Sequence, residues 1–215
     1  ANQNSFFDCV TDLGVLSPRG TNTAINSFTG ATFHSGSGGN TDSRWAQVYQ
    51  YMRKTNVVLE YIHYCEQLSQ AKMAQYVGEA KLHKALLHYE MLKRYGGITI
   101  MDDLFAGGNI ELPRNTFDEC VEYIVRLCEE AAGGLPLRYP DNDYGRLTKG
   151  AALGLKAKVL LYAASPLFNE NPIAGTTEIQ RYASPDDRRW ERAAKAALDV
   201  INLRMPNGAP AYELF

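Results

Sequence analysis

Long apolar runs are largely missing from this sequence. The longest, around Ala157 to Ala164, is broken by Lys158 and falls short of the roughly 20 residues that a membrane-spanning helix needs. Charge of one sign is missing too. Lys and Arg total 22 against 24 Asp and Glu, and the net charge of -2 gives no electrostatic footprint for nucleic acid or an anionic membrane surface. No nucleic-acid partner is expected. Cysteine is scarce, with 4 in 215 residues. Cys120 and Cys128 fall on one predicted helix about 12 Å apart, too far to bond each other. Both lie on its apolar stripe, which predicts buried, inert thiols. Cys9 and Cys65 are left as an open pairing. The chain opens in polar sequence at Ala1 without the apolar leader of a signal peptide. That fits a cytosolic protein or a mature or trimmed piece of an exported one. Catalytic signatures are absent as well: there is no Gly-x-Ser-x-Gly, no phosphate-binding loop, no His-Glu-x-x-His and no Cys-x-x-Cys. No enzyme activity and no cofactor is expected.

Against these absences stands a 45% apolar content, enough for a proper core, and 13 tyrosines. Tyrosine packs through its ring and hydrogen-bonds through its hydroxyl, which suits helix interfaces and sugar-binding surfaces. The stretch Gly78–Gly97 organises the rest. Gly78 reads as its opening and Gly96-Gly97 as its stop, with good helix formers between. At helical spacing the apolar residues make two stripes, Ala80, Leu87, Met91 and Tyr95, then Leu82, Ala85, Leu86, Tyr89 and Leu92. Narrow polar strips separate them, one with Glu79, His83, Glu90 and Arg94, the other with Lys81, Lys84 and His88. A helix with two apolar faces needs neighbours on both, so a stack of helices is expected.

Residues 1–41 show turn chemistry around Pro18-Arg19-Gly20 and a glycine-serine loop at 35–40. A long irregular segment of this kind is either functional or a partly disordered terminus. Asp42 or Ser43 can cap a helix running to about Leu68, with Trp45, Val48, Tyr49, Met52, Leu59 and His63 on one stripe and Tyr51, Val58, Tyr61, Ile62 and Cys65 on a second. Asn56, in the middle of the first stripe, must find backbone partners in an adjacent turn. This helix should pack antiparallel on the central one as an αα-hairpin. Thr116-Phe117-Asp118-Glu119 is a capping box, and the helix it opens is cleanly one-sided up to Gly133-Gly134. The Thr148–Ala164 helix is apolar nearly all round and rich in Gly and Ala, so it should be central. A last helix, from Ser184-Pro185-Asp186-Asp187 to about Arg204, turns Trp190, Ala193, Ala194, Ala197 and Ile201 inward. It has no sequence partner, so the chain is expected to stop short of its natural end.

Chemistry-bearing residues are few. Glu79 and His83 are four apart, but with no third ligand an ion pair is the expected reading over a metal site. His83 and His88 point about 140° apart on a helix and cannot share a metal. Asp102-Asp103 and Asp186-Asp187 read as turn and cap residues. For ligand binding, the loop before the first long helix offers Arg19, Asn22, Phe33, His34, Asn40 and Asp42. Amides and carboxylates can bind sugar hydroxyls while Phe33 stacks on a sugar face. The alternative is that this loop is simply solvated.

Taken together, Trp45-x-x-Val48-Tyr49, Asn56 to Glu60, Gly78-Glu79-Ala80 through Tyr95-Gly96-Gly97, and Leu112 to Thr116 form a recognisable series. It continues through Leu135-Pro136, Gly145-Arg146-Leu147-Thr148-Lys149-Gly150-Ala151-Ala152, Leu155 to Ala157, Leu161 to Asn169 and Trp190-Glu191-x-Ala193-Ala194. The series resembles the amino-terminal half of the SusD/RagB-like family, in order and spacing. Departures are Thr99 where the family usually has proline, His83 in a common apolar position, and no lipidated amino-terminal cysteine. Cys9 follows Ser5-Phe6-Phe7-Asp8, which is not a lipoprotein leader.

The resemblance implies an all-α fold of stacked antiparallel helical hairpins, a tetratricopeptide-like right-handed array with long irregular loops. It makes 1–215 one helical domain short of the family's length on its carboxy-terminal side, with a loop-rich segment at 1–41 and a hairpin core at 42–204. It implies a cell-surface lipoprotein of the outer membrane that binds an oligosaccharide or polysaccharide, in some members a peptide. The implied partner is a TonB-dependent, SusC-like transporter, with no catalysis. The alternative is a helical-repeat scaffold that binds a protein or peptide. A hydrolase would need a carboxylate pair at glycosidase spacing, and none is evident.

Overall fold

The computed structural model describes residues 44–104, 111–170 and 174–213. Gln47–Phe215 forms one compact unit. The described residues contain helices and no strand: α1 Trp45–Tyr61, α2 Gln70–Tyr95, α3 Phe117–Gly134, α4 Lys149–Ala164, the single turn α5 Pro166–Asn169, and α6 Arg188–Ile201. Short 3-10 turns occupy Ile62–Tyr64 and Asp141–Asp143. None of these helices is long and apolar enough to cross a membrane. The all-α expectation holds.

Helix α3 forms for the reasons its sequence advertises. Thr116 Oγ1 accepts from Glu119 N–H at 3.2 Å, and Glu119 Oε2 accepts from Thr116 N–H at 2.8 Å, so two orphan donors of the first turn are satisfied reciprocally. Such a cap contributes about 1 kcal/mol. Phe117, Cys120, Val121, Ile124, Leu127, Cys128 and Ala131 are all buried, and the acids and Arg126 between them face water. Cys120 and Cys128 are buried free thiols, while Cys65 is an exposed one. Cys9 lies outside the described residues.

Helix α2 is longer than expected. It begins at Gln70, where Ser69 Oγ accepts from Lys72 N–H, and ends where Gly96, at φ 71°, lets its N–H reach Leu92 O. Gly78 does not open the helix; it lies mid-helix at a crossing. A Cβ built on Gly78 would stand 3.0 Å from Ala131 O, and one on Gly134 would stand 2.4 Å from Ala74 O. The two glycines let the α2 and α3 backbones touch. The tightest helix packing joins α2 to α3, α3 to α4, and α4 to α6. Helix α4 is central as expected, with Ala152, Val159, Ala163 and Ala164 fully buried. Rings close the core above it: Phe117 stacks on Phe168 at 4.7 Å and meets Tyr182 edge-on at 5.2 Å.

Other expectations need correction. Helix α1 ends at Tyr61, not Leu68, and among the described residues it is not one of the tightly packed helix pairs. Instead Tyr49 donates to Thr99 O at 2.9 Å, and Asn56 Nδ2 to Met101 O at 2.9 Å. The Asn56 expectation is met, by backbone of the segment that follows α2. The second stripe of α1 is mostly in water: Tyr51, Val58, Tyr61 and Cys65 are exposed. On α6 the buried residues are Ala193 and Ala196, whereas Trp190, Ala194, Ala197 and Ile201 of the predicted inward stripe are exposed. Trp190 was expected in the core and is 44% exposed.

The crossing predicts a contrast between neighbours. Gly134→Ala should lower stability by about 2–4 kcal/mol in urea denaturation, because backbone must move to admit the methyl. Gly133→Ala, with nothing within 4 Å of its added Cβ, should be neutral or stabilise by up to about 0.5 kcal/mol.

Candidate ligand-binding site

The six residues predicted to bind ligand, Arg19, Asn22, Phe33, His34, Asn40 and Asp42, lie outside the described residues. Among the described residues no group of three or more His, Cys, Asp or Glu side chains could hold a metal ion. Polar chemistry concentrates at three other places.

The first is a charged cluster under α2 and α3. Of the polar strip Lys81, Lys84 and His88 between the two apolar stripes, Lys84 is only 2% exposed and His88 not at all. Lys84 Nζ sits 2.5 Å from Asp102 Oδ1, and Tyr123 donates its hydroxyl to the same oxygen. Arg126 lies 4.0 Å from Asp102 Oδ2, with its guanidinium 5.2 Å from the Tyr123 ring centre. Partial burial opposes ionisation of Asp102, but hydrogen bonds from Lys84 and Tyr123 outweigh it and hold the carboxyl below its usual range. His88 Nδ1 lies 2.8 Å from Lys84 O, and burial pushes the imidazole down to about 4, so it is neutral at pH 7. Every charge here points at a partner within the fold.

The second is Glu79. It does not pair with His83, which is exposed; Arg146 takes it in a bidentate fork at 2.9 and 2.8 Å. Tyr139 and Gln75 donate to the same carboxylate at 2.9 and 3.0 Å. Burial works against the charge, yet these donors hold the Glu79 carboxyl below its usual range. Arg146 lies between the rings of Tyr76 and Tyr139, 5.4 and 5.7 Å from their centres. This joint fastens the loop after α3 back to α2.

The third is open. A cleft of about 460 Å³ lies between the first turns of α3 and α6. Leu160 and Tyr182, both buried, contribute to its lining. Glu122 on the α3 side is bound by Arg192 of α6 through a bidentate fork, and Asp186 is held by Arg188 at 2.9 Å. Arg189 lies 3.5 Å over the Tyr182 ring and donates to Asn169 Oδ1 at 2.5 Å and Ser184 O at 2.7 Å. Asp186 is thus a loop-closing residue, as expected, while Asp187 precedes α6 without a side-chain cap. Burial and the neighbouring Glu122 raise the Asp118 carboxyl above its usual range.

Residues 12–161 match a SusD-like family model described as starch-binding and associating with the outer membrane. The chain belongs to the SusD-like family. No curated protein matches this SusD-like sequence. Among solved structures, a SusD-like protein from Bacteroides fragilis is 30% identical with a TM-score of 0.58, over 73% of this chain and 26% of its own. A structure with xylogluco-oligosaccharide is 27% identical with a TM-score of 0.56, over 73% and 28%. A laminarin-binding SusD-like protein, 18% identical with a TM-score of 0.66 over 90% and 36%, shares the fold. This SusD-like chain therefore spans about a quarter to a third of the length of these structures.

The charged cluster makes two predictions for the SusD-like core. Asp102→Asn strands the buried Lys84 ammonium and should cost about 1–3 kcal/mol, less than for a fully buried pair because Asp102 is half-exposed. Lys84→Met should cost less than Asp102→Asn, since the carboxylate left behind can hydrate; chemical denaturation of both variants and their double mutant checks this. The second concerns pH. His88 titrates near 6.5 unfolded and about 4 folded, so its contribution is complete above 6.5 and is lost as pH falls toward 4. The loss should be on the order of 3 kcal/mol. His88→Phe should flatten that part of the stability–pH curve, leaving the further fall at lower pH to carboxyls held below their usual range, Asp102 and Glu79 among them.

Proposed function

We propose that this protein is a non-catalytic glycan-binding component of a nutrient-uptake system at the outer membrane. The observation that carries the reading is the family match over residues 12–161, whose description joins starch binding to the outer membrane. The relative solved with xylogluco-oligosaccharide supports the same class of ligand. In this reading the full-length protein is lipid-anchored and surface-exposed and delivers an oligosaccharide or polysaccharide to a TonB-dependent, SusC-like transporter. The helical rods are scaffold, residues 42–204 forming the core and 1–41 the loop-rich segment. Arg19, Asn22, Phe33, His34, Asn40 and Asp42 contact the sugar, amide and carboxylate groups meeting hydroxyls and Phe33 stacking on a ring.

One observation favours a second reading, a scaffold for a protein partner. The row Tyr51, Val58, Tyr61 and Tyr64 leaves α1 and the turn after it with an exposed aromatic and aliphatic face. A glycan array separates the two, since binding to protein partners with no glycan signal would favour the scaffold. Within the first reading, alanine at Phe33 and Asn40 should weaken glycan binding in calorimetry without lowering the melting temperature. Unchanged affinity would remove the loop from the site.

A further inference from the structure

We propose that the cleft between α3 and α6 is a glycan contact in its own right, built for a neutral, polyhydroxylated segment. This rests on the glycan reading above and adds a place and a ligand chemistry to it.

The cleft's volume, about 460 Å³, falls within the ~300–1,000 Å³ of small-molecule sites. Its lining carries four carboxylates and four cations, so the charges cancel. An anionic ligand would meet the carboxylates of Asp118 and Glu122, and a cationic one would meet Arg189, Arg192 and Lys195. Neither sign is favoured.

The pairing pattern is more specific. Two forks, Arg192 to Glu122 and Arg188 to Asp186, consume their charges internally. Among the described residues Asp118 of α3 and Glu191, Arg189 and Lys195 of α6 make no direct ion pair, although Arg189 and Arg192 lie near enough to act on the Asp118 carboxyl. An ionised carboxylate only accepts hydrogen bonds and an ammonium only donates them. A sugar hydroxyl does both, so a polyhydroxylated ligand can donate to the carboxylate of Asp118 and accept from the ammonium of Lys195 through its separate hydroxyls. Arg189 bonds through Nη1 alone, which leaves Nε and Nη2 as further donors. Such a ligand satisfies both signs without burying an uncompensated charge. Partial burial and Glu122 raise the Asp118 carboxyl against the opposing pull of Arg189 and Arg192, so it would gain from a hydroxyl donor. The cleft escapes sequence reading because its walls lie some seventy residues apart, as the Glu122–Arg192 fork does.

The test is calorimetry on the 215-residue chain with three neutral probes, maltohexaose, laminarihexaose and a xyloglucan oligosaccharide, and one acidic probe, oligogalacturonate. The expected result is binding of at least one neutral probe, weakened tenfold or more by Asp118→Ala and by Lys195→Ala, with oligogalacturonate weaker than that probe. Both side chains are exposed, and melting temperatures within about 2 °C of the parent confirm that the variants fold; Lys195→Ala carries the test alone if Asp118→Ala does not. Variants that bind as the parent does, or a preference for oligogalacturonate, overturn the cleft and leave the glycan reading standing. A parent chain that binds none of the neutral probes overturns both.

Discussion

Backbone lies against backbone where Gly78 of α2 meets the end of α3 at Gly134, and the folded unit depends on that approach. With no side chain at either position, the helices come closer than ridges and grooves of ordinary residues allow. Farther along the same pair, α3 sets Tyr123 beside His88, ring centres 4.8 Å apart, and over the Lys84 ammonium. The charged cluster is therefore a consequence of the crossing. A buried lysine is tolerable only because the α2–α3 geometry also delivers a carboxylate, Asp102, from the segment that leaves α2.

That segment is in turn the anchor for α1. Met101 and Asp103 offer their carbonyls to Asn56, and Thr99 offers its own to Tyr49. Asp102, between two of those carbonyls, faces the other way to Lys84. One short stretch of irregular backbone thus holds three helices, two through side chains and one through main-chain acceptors. On the far side of the stack, Lys156 of α4 reaches Glu129 of α3 at 2.8 Å and Asp199 of α6 at 3.9 Å. The core layers rest on small buried residues and rings, with charges placed at the seams.

What the sequence made legible follows the range of the interactions involved. Helix α3 could be read whole, because a capping box, a one-sided stripe and a glycine stop are all local. Asn56 was legible in kind, since a buried amide must be satisfied, though its partners were not. Gly78 misled because glycine marks both a helix end and a close approach, and only the partner helix distinguishes them. Lys84 and His88 look like surface residues until Asp102 and Tyr123 arrive from 18 and 35–39 positions away, and Glu79 lies 67 residues from Arg146. The stripe on α6 was visible as a stripe, but periodicity does not say which flank meets a neighbour. The cleft left no local signal at all.

The outward row on α6 has a practical consequence. Trp190, Ala194, Ala197, Leu198 and Ile201 form a hydrated aliphatic and aromatic strip, and excluded ions such as sulfate strengthen the drive to remove such surface from water. Salting-out will therefore act on this flank early. Trp190 sits within the strip as a built-in fluorophore, so once the other tryptophan, Trp45, is replaced, its emission colour reports whether that flank is wet or covered.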